Sequence, residues 1–458
     1  VPPGHVVSLT RRNGRVEIVS RKYWDMPFPE GAAHAEISDE EAIEGVRDKL
    51  LEAVNFRMEA DVEVGCYLSG GIDSCSILGL ASAVSQSPVK AFTIGFDNKA
   101  YDESAIATEM AEACGADQDI LRLSATHLYD HFEETIWHTE RTIYNTLAVA
   151  KFLMSRHVRD TRYKVVVTGE GSDELFAGYP SFRNDLFLHG LEQMPAAERA
   201  QWQAMLHENN ALFKGAMLAE QEVHSAAIDN LVGFTPACLQ PWLASASFVP
   251  GLLAPHHAEK LTDYDPGAAI AEALDPAGIR DRHPLDRAQY VWIKTMLEGQ
   301  ILTWGGDRVD MANSMEARPA FLDHHLAEYA ATLSPSVRIR GKTEKWVLRE
   351  AMRGLLPKVL YEREKFAFMA PPAHTDEAKW AAVQGLAAEY LSPEATQASG
   401  LLSDSGIAAL YALHDAGDTT PATLNTIDAL LNHMRGVSFP PPGSLYAALY
   451  TVSPNDAG

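Results

Sequence analysis

The 458-residue chain is poor in cysteine and in basic residues, and it has no long apolar run. Its four cysteines, Cys66, Cys75, Cys114 and Cys238, form no CxxC pair, so neither a zinc site nor a disulfide framework is expected and a reducing compartment fits best. Thirty-eight Lys and Arg stand against sixty-two Asp and Glu, a formal charge of −24 that repels a polyphosphate backbone. Nucleic acid is not an expected partner. No stretch reaches the ~18 consecutive apolar residues of a membrane span. The opening Val1-Pro-Pro-Gly-His5 lacks the basic and apolar regions of a secretory leader. A cytoplasmic location without a membrane partner is expected, and no internal repeat is visible.

What is present is an ordinary soluble balance, 46% hydrophobic and 22% charged, long enough for two or three cores at ~100–200 residues each. Residues Val1 to Pro29 hold a β-like stretch, Val16 to Val19, and the pair Tyr23-Trp24, too little for a core. Ser38-x-x-Glu41 is a capping box opening an amphipathic helix with Ile43, Val46, Leu50 and Val54 at helical spacing. Strand-like runs then alternate with helical patterns: Val62 to Leu68, Val89 to Phe96, Ile120 to Leu123 and Lys164 to Thr168. Such alternation predicts an α/β fold with a parallel sheet covered on both faces. Its ligand belongs at the carboxyl ends of the strands, in the loops that begin at Ser69 and Gly169.

Helical spacing without strand signal predicts an all-helical insertion from about Pro180 to Pro284, and helices continue to about Leu431. Three divisions are expected: 1–35, 36–435 and a tail, 436–458, containing Phe439-Pro-Pro-Pro-Gly443. Arg340-Gly-Lys-Thr343 looks like the end of a Walker loop, but its first glycine would fall at Ser336 and no strand clearly precedes it.

Two strings carry chemistry. Leu68-Ser-Gly-Gly-Ile-Asp-Ser-Cys75 follows a strand and opens a helix. Glycines let backbone amides approach an anion, the helix N-terminus adds positive charge, and Ser69 and Ser74 bring hydroxyls. Asp73 beside phosphate oxygens implies a magnesium ion between them. An isolated Ser-Gly-Gly reads equally well as a plain strand-to-helix turn. Thr168-Gly-Glu-Gly-Ser-Asp-Glu-Leu-Phe-Ala-Gly-Tyr179 packs three carboxylates into five residues after another strand, costly without a cation or a movable proton. An acidic surface turn is the alternative.

The first string resembles the pyrophosphate loop of the ATP pyrophosphatases, and the two together resemble asparagine synthetases of the glutamine-hydrolysing type. The resemblance implies a sheet of the adenine nucleotide alpha hydrolase-like type. It implies ATP contacts from Leu68, Ser69, Gly70, Gly71, Asp73, Ser74, Ile94, Gly95 and Gly169, with Ile94 and Gly95 in the adenine-reading segment Phe92-Thr-Ile-Gly-Phe96. Without the family that segment reads as a buried strand. Asp73 and Asp173 would hold magnesium, Glu170 would act as base or proton relay, and Lys365 of Arg363-Glu-Lys-Phe366 would stabilise charge on the leaving pyrophosphate.

The stretch Asp307 to His324 also matches the family. Its Arg308, Arg318 and Glu316 are candidate substrate contacts, although Asp310, Glu316 and Asp323 offer the arginines ion pairs. The family's Arg-Val-Pro-Phe reads Arg318-Pro-Ala-Phe321 here. Lys345 to Ala351 belongs to the family pattern and is expected to pack.

The implied activity is ATP-dependent amide formation through an acyl-adenylate, with aspartate as default acid. Alternatives are a specialised amide synthetase or cyclase of secondary metabolism and a catalytically silent nucleotide-binding scaffold. Val1 to Asp25 resembles only the last strands of a glutaminase domain, so the chain is expected to be a fragment, a processed product or one subunit of two. Ammonia, another amine or a glutaminase domain or subunit would supply nitrogen, and the resemblance allows a homodimer.

Overall fold

A computed structural model describes residues 1–99, 101–141, 143, 146–190, 218–219, 221–362 and 377–408. Lys365, the rest of Arg363 to Phe366 and the 436–458 tail lie outside the described residues.

The chain opens on an antiparallel hairpin, β1 (His5–Arg12) and β2 (Arg15–Lys22), joined by Asn13-Gly14 with φ of 50° and 79°. Positive φ at both central residues is what a two-residue hairpin turn demands, and Asn-Gly supplies it. The strands extend well beyond the expected Val16 to Val19. Leu9 and Ile18 are both 68% exposed, so the hairpin adds little to the core. Its base is tied down by Trp24 Nε1, which donates to Glu328 at 3.0 Å, and by Lys294, 2.7 Å from Asp25.

Helix α1 (Asp39–Met58) starts at the expected box: Glu41 N donates to Ser38 Oγ at 3.2 Å and Ser38 N to Glu41 Oε2 at 2.8 Å. Val46, Leu50 and Val54 are fully buried and Ile43 partly. Ser38→Ala is expected to cost about 1 kcal/mol, read from urea unfolding midpoints at unchanged slope.

The central sheet is five-stranded and parallel, ordered β5-β4-β3-β6-β7. The strands are β3 (Val64–Tyr67), β4 (Lys90–Phe96), β5 (Asp117–Leu123), β6 (Val165–Thr168) and β7 (Glu316–Pro319). Cys66, Ala91 and Val167 enter one apolar cluster with α1, α2 (Ile72–Val84) and α3 (Ser104–Cys114). Phe92 and Val166 enter another with Met154 and Val158 of the Leu147–Asp160 helix. Both faces are thus covered, which is why these strands read as nearly continuous apolar runs. The sheet starts with β3, builds outward to β5, then the chain returns to lay β6 on the other side of β3. Strand order reverses between β3 and β6, and in parallel sheets the carboxyl ends beside such a reversal are where ligands bind.

Between 180 and 284 the described residues contain helices and no strand, with an isolated bridge from Leu253 to Leu402. The Pro284–Trp292 helix then passes into π-helical turns, Ile293–Ile301 and Thr303–Asp307, a geometry frequent beside functional sites. Arg340 to Thr343 forms the turn of a two-stranded hairpin, β8 (Ile339–Arg340) with β9 (Thr343–Glu344). No helix among the described residues is long and apolar enough to cross a membrane.

Candidate active site

Both motif loops emerge at the reversal point. The first leaves β3 through buried Leu68, and Gly71 precedes α2 in extended conformation. Ser69 N donates to Ser74 Oγ at 3.0 Å, and the two hydroxyls lie 2.9 Å apart, holding the loop closed on the helix start. Gly70 meets a packing demand: a Cβ there would come 2.7 Å from Glu103 Cβ. Gly169 lets the second loop lie on the first, since its Cβ would be 3.0 Å from Ser74 N. Ile94 and Gly95 stand near the end of β4, one strand from this loop.

The loops meet through charge. Asp73, in the first turn of α2, accepts from Ser172 Oγ at 2.7 Å and from Lys345 Nζ at 2.6 Å. Asp173 Oδ1 lies 2.6 Å from the same Nζ. Lys345 is 1% exposed and follows β9 in a left-handed backbone conformation, φ 52°. The string Lys345 to Ala351 packs as expected, with Val347, Leu348 and Ala351 in the main core, but Lys345 itself does more: its ammonium is the point on which two carboxylates converge. Gly178 clears the space, because a Cβ there would stand 2.0 Å from both Asp173 Oδ1 and Lys345 Cε. Next to Asp173, burial and then the Asp173 charge push Glu174 up to about 7, while Trp292 Nε1 donates to it at 2.9 Å.

Glu170 sits apart from this pair. Its Oε1 accepts from Lys151 Nζ at 2.6 Å, and its buried Oε2 takes no hydrogen bond among the described residues. Burial raises its pKa, but the Lys151 ammonium, with hydrogen bonding from Thr168 and the backbone, holds it below the ordinary carboxylate range. Lys151 interrupts the apolar string Leu147-Ala-Val-Ala-Lys-Phe-Leu-Met154, and a cation on a core-facing helix is the sequence signal for this site residue.

The remaining candidates divide. Arg308 pairs with Glu140 and lines an open cavity of about 780 Å³ with Trp24, Lys294, Glu298 and Asp307. Arg318 and Glu316 are not brought to the loops. The Arg318 guanidinium bonds Glu316 at 2.6 Å and the carbonyls of Arg57 and Glu59 at 2.9 and 2.8 Å, which ties β7 to the end of α1. The site thus has paired acids around a buried cation, a second acid–lysine pair and a glycine-containing loop at a helix start. That arrangement suits a phosphate ester with a cation and a reacting carboxyl. Residues 45–432 match the model of the asparagine synthase family.

The chain belongs to the asparagine synthase family.

Its similarity to curated members of wider naming is uneven. It is 33% identical to "Amidase chyE" of Penicillium rubens, over 81% of this chain and 58% of that protein. It is 32% identical to "Amidase chry2" of Gibberella zeae over the same shares, 81% and 58%. Against "Asparagine synthetase [glutamine-hydrolyzing] 1" of Bacillus subtilis the identity is 28%, over 73% of this chain and 51% of that protein. The chain therefore spans little more than half the length of these asparagine synthase relatives.

Proposed function

We propose that this chain activates a carboxylic acid with ATP, releasing pyrophosphate, and that ammonia or another amine then expels AMP to give an amide. The convergence of Asp73 and Asp173 on Lys345, in the loops beside the point where strand order reverses, is the observation that carries this reading. Mg2+ is a hard cation that takes oxygen ligands, and Asp73 and Asp173 are the residues that would hold it, with the Lys345 ammonium already at the point between them. When bound, the metal ion would neutralise charge on the phosphate oxygens.

The chain's own groups divide the remaining work. The loop from Leu68 to Ser74 and Gly169 would hold phosphates, and Ile94 and Gly95 the adenine edge. Lys345, shielded from water, would stabilise negative charge on departing pyrophosphate, a role that the family resemblance also gives Lys365. Ionised Glu170 would attract the incoming amine and take its proton after attack. Arg308 is the remaining candidate for contact with the acid, from the wall of the cavity. Arg318 and Glu316 are satisfied elsewhere.

Aspartate is the default acid in this family. The higher identity to the two relatives named amidase, whose names do not mention aspartate, favours another one. A glutaminase domain or subunit would attach beside the exposed β1–β2 hairpin. The test is incubation with ATP, magnesium, ammonium and a panel of carboxylic acids headed by aspartate. Equal amounts of pyrophosphate and AMP are expected with the correct acid, whereas ADP and phosphate would sink the proposal. Asp173→Ala should abolish pyrophosphate release, and near-normal turnover would remove its metal role.

A further inference from the structure

A buried polar group lies behind Glu170 and has no part in the reaction proposed above. Tyr67 ends β3, one residue before the phosphate loop region, and its hydroxyl donates to Asp310 Oδ1 at 3.0 Å. Asp310 is 4% exposed and Ser155, beside both, is fully buried. Ser155 and Lys151 are four residues apart on the Leu147–Asp160 helix, hence on one face. Asn313 Nδ2 donates to Phe152 O at 3.1 Å, fastening the helix that carries Asp310 (Arg308–Ala312) to the one that carries Lys151.

Electrostatics link the group. Asp310 is favoured as a carboxylate by the Lys151 ammonium and opposed by the Glu170 carboxylate, and burial pushes it up to about 6. One lysine therefore serves two acids. An acid placed in such surroundings is costly unless paired, and apolar residues of the same size would pack at least as stably. Asp286, by comparison, has a dedicated arginine, Arg338, 2.5 Å away.

We infer that Tyr67, Asp310 and Lys151 form a positioning relay for Glu170: Tyr67 orients Asp310, Asp310 draws on the Lys151 ammonium from behind, and Lys151 holds the Glu170 carboxylate toward the incoming amine. This rests on the ligase reading and assigns the relay to its second half, nucleophilic attack. Tyr67 and Asp310 lie outside the residues assigned above to the phosphates, so adenylation does not depend on them.

The test separates the two half-reactions in wild type, Tyr67→Phe, Asp310→Asn, Lys151→Met and Lys151→Arg. Adenylation is read as acid-dependent ATP–pyrophosphate exchange, with the panel acid turned over fastest. Attack is read as hydroxamate formation with hydroxylamine. Exchange is expected to stay within about twofold in Tyr67→Phe and Asp310→Asn, while the kcat for hydroxamate falls by about 10–100-fold in Lys151→Met, more than its exchange does, with Asp310→Asn and Tyr67→Phe following in that order. The KM for hydroxylamine rises, and Lys151→Arg, which keeps the charge, recovers part of the rate.

Equal loss in both half-reactions, or none in either, overturns the relay. Thermal melting reports folding, and Tyr67→Phe, which removes a single oxygen, keeps the test readable where Asp310→Asn does not fold. A wild type that exchanges pyrophosphate with no acid on the panel overturns the ligase reading and the relay with it. A wild type that exchanges while the variants are unaffected overturns the relay alone.

Discussion

Lys345→Met is expected to lower acid-dependent pyrophosphate release by about 10²–10³-fold, the usual effect of losing one preorganised electrostatic group. The ammonium lies 2.6 Å from Asp73 and from Asp173 and is 1% exposed, so nothing from solvent replaces it. Its removal leaves two carboxylates facing each other, and like charges that close shift one toward its protonated form, which binds a metal ion poorly. The fold weakens too. Breaking a buried pair costs about 3–5 kcal/mol, and the lower end applies here because the aspartates keep some contact with water. Lys345→Arg should not rescue, since the space is set by Gly178, whose missing Cβ would lie 2.0 Å from Lys345 Cε. Gly178→Ala should reproduce the loss. Pyrophosphate release within about threefold of wild type in Lys345→Met would show that Lys345 is not part of the phosphate site.

Arg338→Ala is expected to destabilise the chain by about 3–5 kcal/mol, a large share of the roughly 5–15 kcal/mol that holds a domain together. The guanidinium is fully buried and donates at 2.5 Å to Asp286 Oδ1 and at 2.5 Å to Gln289 Oε1. Gln289 in turn donates to the carbonyls of Glu174 and Leu175 at 2.6 and 3.2 Å, so the network supports the segment that carries Asp173. Without the arginine, Asp286 is left fully buried with His34 Nε2 at 2.8 Å.

Burial pushes the Asp286 carboxyl up, but Arg338 and His34 together offset this and hold it below the ordinary range. A carboxyl depressed in the folded state adds stability that is present above its unfolded pKa and is lost as pH falls through its folded one. The wild type should therefore lose stability on acidification that Arg338→Ala has already lost. Urea unfolding near neutrality and again in acid measures both effects. Arg338→Met with Asp286→Leu should recover much of the loss, because an apolar pair leaves no buried charge. A single variant as stable as wild type would mean that the network is not needed.

The legible parts of this protein were those with a local cause. Ser38-x-x-Glu41 marks the start of α1 because the cap is made by residues three apart. The apolar runs mark β3, β4 and β6 because both faces of the sheet are covered. The loops at Ser69 and Gly169 were placed by their glycines and acids, and parallel topology brought them side by side. Gly70 shows the limit of such reading, since its immediate demand is contact with Glu103 rather than room for an anion.

The sequence by itself determined the fold class, the family and the two loops, since each rests on spacing within a few turns of chain. Only the tertiary structure decided which charges meet. Lys345 reaches Asp73 across 272 positions of sequence, Arg338 reaches Asp286 across 52 and Tyr67 reaches Asp310 across 243. No periodicity encodes those distances. An ion pair forms wherever packing leaves two charges without water, and that depends on how every helix between them is laid against the sheet.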